Sequence, residues 1–156
     1  MQKYNFFFHI HVILHKKDTN MQFRLSYAEV EQFSESKAGK RLPLSYNDTH
    51  TVRISYPVPL MGSVGVDITV DRISGSDVFL SFGGGAAIEF MLRTALNQAK
   101  NQPGMEMVQM LGGNQLLLNL GKSPNLAPIL ERINLEDICF DEQFIIIQFS
   151  PKNDLV

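Results

Sequence analysis

The 156-residue chain is short of cysteine, short of histidine and short of positive charge, and each shortage closes off a class of function. A lone Cys139 excludes an intramolecular disulfide and gives no vote on compartment. Past residue 20 the one histidine is His50, in the polar stretch NDTHT, where it reads as a surface residue. No nucleophile stands beside a base, so acyl transfer and metal-assisted hydrolysis lack their parts. The expectation is a protein that is not an enzyme, with no catalytic residue, no metal and no cofactor. Net charge is −2; the first twenty residues contribute +2 through Lys3, Lys16 and Lys17 against Asp18, which leaves the remainder at −4. Such a surface does not attract a phosphate backbone, and nucleic acid is not an expected partner.

Long apolar runs are missing too. FFFHIHVIL, Phe6 to Leu14, is too short to cross a bilayer, and HKKDTN follows where a secretory signal would place small residues. Residues 1–20 therefore read as a non-native or disordered extension, with Met21 as the working start. No transmembrane segment is expected, and the cytoplasm is favoured for want of a convincing signal peptide. His9, His11 and His15 would share a face of an extended segment, but only Asp18 lies near them, so no metal site is expected.

What remains is an ordinary globular composition, 44% hydrophobic and 19% charged. One α+β domain is expected over residues 21–150, with 151–156 as a tail. Its centre is GGGAAIEFMLRTALNQAK, Gly83 to Lys100. There Ile88, Met91, Leu92, Ala95, Leu96 and Ala99 recur at helical spacing, while Glu89, Arg93, Asn97 and Lys100 fill the other side. Ahead of it, Met21–Leu25 alternates as a strand. Ser26 and Glu29 form a capping box for a helix that ends near Gly39. Thr51–Val58, Val64–Ile73 and Val78–Phe82 alternate as three antiparallel strands joined by short turns. After the helix, Asn101-Gln102-Pro103-Gly104 is a stop. Met105, Met107 and Met110 lead to a turn at Gly112-Gly113-Asn114 and a strand through Leu116, Leu118 and Leu120. Ser123 and Pro124 open a second short helix, and a hairpin, Ile133–Phe140 and Phe144–Phe149, closes the chain. FIIIQF is apolar on both faces and reads as a strand covered on both sides.

Four local features carry both a chemical and a plain reading. Asp67 and Asp71 share one strand face and could hold a hard cation, but that face also carries Gly and Thr and reads as solvated. Gly83-Gly84-Gly85 resembles a phosphate-cradling loop, yet neither GxxxxGK nor GxGxxG is present, and the glycines read as a sharp strand-to-helix turn. Lys37, Lys40 and Arg41 could meet an anionic headgroup, or could be cations favoured at a helix C-terminus. Phe90 and Phe79 point away from their apolar neighbours, as aromatics at contact surfaces do.

The order of elements, a capped Leu-Ser-x-x-Glu-Val helix, an amphipathic meander, a longer apolar helix and the terminal hairpin INLEDICFDEQFIIIQF, resembles the small bacterial members of the tubular lipid-binding (TULIP) superfamily over Leu25 to Phe149. The resemblance implies a curved antiparallel sheet wrapped around the longer amphipathic helix, two shorter helices, and an apolar groove that takes acyl chains. It places Ile88, Met91, Leu92 and Leu96, with the inward residues Val66, Ile68, Leu80 and Leu118, along that groove. Ala95 and Ala99 are small enough to leave room there. The expected function is non-catalytic binding of a lipid or other apolar small molecule. The alternative is a protein–protein interaction module with a closed core, a homodimer or a scaffold.

Overall fold

Alternation does become strand, but the strands sort into two sheets. The computed structural model describes residues 21–60 and 62–152; the expected N-terminal extension and the last four residues of the tail lie outside them. The larger sheet has six antiparallel strands in the order β2-β3-β4-β5-β7-β6: β2 Leu44–Asp48, β3 Thr51–Val58, β4 Gly62–Ser74, β5 Asp77–Gly83, β6 Val108–Gly112 and β7 Gln115–Asn119. The smaller has three in the order β1-β9-β8: β1 Met21–Ser26, β8 Ile133–Phe140 and β9 Phe144–Pro151. The helices are α1 Tyr27–Ala38, α2 Gly85–Ala99 and the single turn α3 Ala127–Leu130, which starts later than the Ser123-Pro124 signal implies.

This corrects the expected architecture. The described residues are mostly β, two antiparallel sheets with short helices, and among them no curved sheet wraps a central helix. Two physical reasons account for it. A helix enclosed by a sheet must be apolar all round, whereas α2 buries only Ile88 and turns a Glu89–Arg93 ion pair (2.7 Å) to solvent. Second, the strand before α1 pairs with the last strand of the chain, Leu25 opposite Ile145 and Phe23 opposite Ile147. That long-range pairing takes the terminal hairpin out of the meander and makes it a separate layer.

Both α2 and the small sheet lie on the same apolar face of the large one. Register puts Leu44, Val52, Ile54, Tyr56, Val64, Val66, Ile68, Val78, Leu80, Phe82, Leu116 and Leu118 on that face. Its core falls into two clusters. Val52, Val70 and Val78 pack with Tyr27 and Phe140 under the small sheet; Val66, Phe82 and Leu116 pack with Ile88 under α2. Ile68 and Leu80 touch both clusters and join them.

Local chemistry holds the covers in place. The capping box forms: Glu29 N–H donates to Ser26 Oγ (3.2 Å), and Ser26 N–H donates to Glu29 Oε2 (2.8 Å). Gly39 closes α1 at φ 68°, donating its N–H to Glu35 O (3.0 Å). Tyr27 is the anchor of α1, its hydroxyl donating to Asp141 O; Phe33, further along, is 43% exposed, so α1 meets the core at one end. The β2–β3 turn ties the layers together, because Thr49 O accepts from Phe140 N (2.7 Å) and His50 O from Val70 N (2.8 Å). β9 is half-buried along Phe144–Ser150, with no residue fully covered.

Candidate functional site

The β3–β4 ladder runs on to Val58 opposite Gly62, but β5 joins β4 only from Gly83 opposite Asp67. Beyond that level no strand among the described residues flanks β4, and β2 follows β3 only as far as Leu44 opposite Ile54. Here α2 begins, and between it and the hairpin lies a groove of about 430 Å³. Ile54, Tyr56, Val66 and Ile68 form its floor, and Ile88, Met91, Leu92 and Ala95 its helical wall. Leu42, just before β2, closes the far side, and Phe90, Thr94 and Gln98 complete the rim. None of these residues is charged. The size and the apolar lining are those of small-molecule sites generally.

The start of α2 is set by close approach. Gly84 has φ 137°, and a Cβ there would sit 2.4 Å from Ile88 Cγ1. The glycine run thus lets the helix fold back on its own strand, with Ile88 against Val66 and Phe82. Further along, α2 presents Met91, Leu92 and Leu96 only half-buried, and Ala95 exposed to the groove.

Of the residues proposed from sequence, Val66, Ile68, Ile88, Met91, Leu92 and Ala95 line the groove. Leu80 lies between the two core clusters, Leu96 packs in the cluster under α2, and Leu118 packs under the small sheet. Sequence reasoning did not bring in Leu42, Ile54, Tyr56, Phe90, Thr94 or Gln98. Ile54 and Tyr56 were legible as the inward half of their strand. Leu42 was not, since nothing in RLPLSY showed that β2 would pair with β3 and carry its lead-in to the groove.

The other candidate groups find plain partners. Asp67 takes a two-pronged bond from Arg53 across the β3–β4 ladder (Nε to Oδ1, 2.7 Å; Nη2 to Oδ2, 3.1 Å), while Asp71 accepts from Ser81 Oγ (3.0 Å). The Arg53 hydrogen bonds hold the Asp67 carboxyl below the ordinary carboxylate range. Phe79 is not an open aromatic, because the Arg72 guanidinium stacks 3.6 Å from its ring centroid. Phe90 stays 72% exposed at the groove's rim. His50 Nε2 meets Asp137 Oδ2 at 3.1 Å on the surface. Cys139 is buried, and burial with the nearby Asp137 and Asp141 pushes its thiol up, away from the reactive thiolate. Among the described residues no three His, Cys, Asp or Glu side chains converge as a metal site, and no helix is long and apolar enough to cross a membrane.

A second cavity, about 440 Å³, lies between Gly75, Gly121 and the α3–β8 corner. Its wall mixes Glu131, Asn134 and Lys152 with Leu130, Ile133 and Leu135, so it has neither a dry lining nor a convergent polar set. The groove beside α2 is the better candidate. No family model, curated protein or solved structure matches the chain.

Proposed function

We propose that this protein binds a lipid or similar apolar molecule in the groove between α2 and the β3–β4 hairpin, without transforming it. The observation that carries this reading is a groove of about 430 Å³ with no charged residue among the described residues of its wall, under a helix that buries one side chain. Each methylene transferred from water would contribute about 0.8 kcal/mol, so an acyl chain of ten buried methylenes gains roughly 8 kcal/mol before the costs of association. Native mass spectrometry of the purified protein tests it. An adduct of lipid mass, lost when Ala95→Phe fills the groove, supports binding; a protein that carries no adduct and takes up no added amphiphile refutes it.

Phe90 favours a second reading. A rim aromatic with 72% of its surface exposed, beside an uncovered apolar groove, is suited to self-association, with one copy closing the groove of another. An adduct-free dimer that dissociates on Phe90→Ser is the outcome that supports this reading over the first.

A further inference from the structure

We infer that the groove's occupant is a single-chain amphiphile with a carboxylate head, and that Lys40 receives the head at the groove's mouth. The inference rests on the groove reading above and adds the charge of the ligand. The residues after α1 run Lys40, Arg41, Leu42, and Leu42 is part of the groove wall. Lys40 Nζ lies 5.4 Å from the centroid of the Tyr56 ring, and Tyr56 is part of the floor. An ammonium is thereby placed against a groove residue, where attraction to the ring face keeps it near the opening.

Of the neighbouring cations, Lys37 sits in the last turn of α1, where the helix's free carbonyls favour it, and three arginines are paired. Arg41 bonds Glu31 Oε2 at 3.1 Å, Arg93 bonds Glu89 at 2.7 Å, and Arg53 sits with Asp67 on the opposite face of the sheet. Lys40 makes no ion pair among the described residues, and its ammonium lies over the ring of a residue in the groove floor. One point charge beside an uncharged, apolar trough matches a molecule with one negative end and a long apolar body. A phosphate monoester, with close to two charges and three strong acceptor oxygens, asks for more donors than this mouth supplies.

The test is calorimetric titration of the full chain with dodecanoate, dodecanol and dodecyl phosphate at about pH 8, where the carboxylate is ionised. Dodecanoate is expected to bind roughly fivefold tighter than dodecanol at low salt, as one exposed ion pair allows, with the gap closing as salt rises. Lys40→Gln should erase the gap and leave dodecanol unchanged. If dodecanoate and dodecanol bind equally and Lys40→Gln alters neither, the carboxylate inference falls and the groove reading stands. Tighter binding of dodecyl phosphate than of dodecanoate also overturns it. If no chain binds at all, both readings fall together.

Discussion

Placing a phenyl ring at Ala95 separates an open groove from a closed seam by the sign of the stability change. Ala95 faces the groove from the middle of α2 and is itself exposed. A buried aromatic removes about 150–250 Å² from water. Covered on the groove side only, the introduced ring would bury about half of that, worth roughly 2 kcal/mol at 25 cal/mol per Å². Against this stand about 0.5–1 kcal/mol of lost rotamer freedom and about 0.5 kcal/mol of poorer helix propensity than alanine. The net expectation for Ala95→Phe is a gain of about 0.5–1 kcal/mol, together with loss of any bound amphiphile. In a close-packed seam the same ring would have to push the helix off the sheet, at a cost of about 1–3 kcal/mol. Urea unfolding reads the difference as a shift of the midpoint at constant slope. A lower midpoint would refute the open groove, and with it the binding proposal.

Three further outcomes test the scaffold that positions the groove. Ser26→Ala removes the hydroxyl half of the capping box and should cost about 1 kcal/mol in thermal or urea unfolding, with α1 fraying first by hydrogen exchange. Gly84→Ala combines a positive φ with a Cβ 2.4 Å from a buried Ile88, so about 2–4 kcal/mol should be lost; a neutral result would mean that α2 does not press on its strand there. Asp67 has a folded pKa below its unfolded one, so its contribution is complete above the unfolded value, at about pH 4, and lost as pH falls through the folded value. Asp67→Asn should flatten that part of the acid unfolding curve, and an unchanged curve would show the Arg53 bond to be without thermodynamic weight.

Legibility followed the range of the interactions. The capping box, the Gly39 stop, the glycine turn into α2 and the terminal hairpin are settled within a few residues, and each could be read from the chain. The inward faces of β3 and β5, and of β4 up to the register shift after Val70, were legible because their alternation is strict. Two things were not. β2 has just Leu44 and Tyr46 on its inner face and an irregular register at Tyr46–Asp48, too short a pattern to mark a strand. The pairing of β1 with β9 joins residues more than a hundred positions apart and leaves no mark in local periodicity, yet it decides that there are two sheets. The groove was half legible for the same reason. Its helical wall is one periodic stripe, whereas its far side, Leu42, depends on a strand pairing the sequence does not advertise.

The position of the groove follows from the two covers not meeting. The small sheet, with Tyr27 and Phe140, covers the end of the large sheet that carries Val52, Val70 and Val78. α2 covers the strip of Val66, Phe82 and Leu116, and at roughly 1.5 Å per residue its fifteen residues span about 22 Å of it. The β3–β4 hairpin extends past both, and its half-buried inner residues Ile54 and Tyr56 are left with a helix on one side and Leu42 on the other. An apolar floor of that kind is costly to leave against water. A guest chain and a second copy of the protein would each relieve the same exposed strip, so the two functional readings converge on one place. They differ in what they ask of Lys40 and Phe90: a guest with a negative end needs the ammonium and loses only a rim contact with Phe90→Ser, whereas self-association needs the ring and tolerates the loss of the charge. Lys40→Gln and Phe90→Ser, compared for bound mass and for oligomeric state, therefore assign the strip to one or the other.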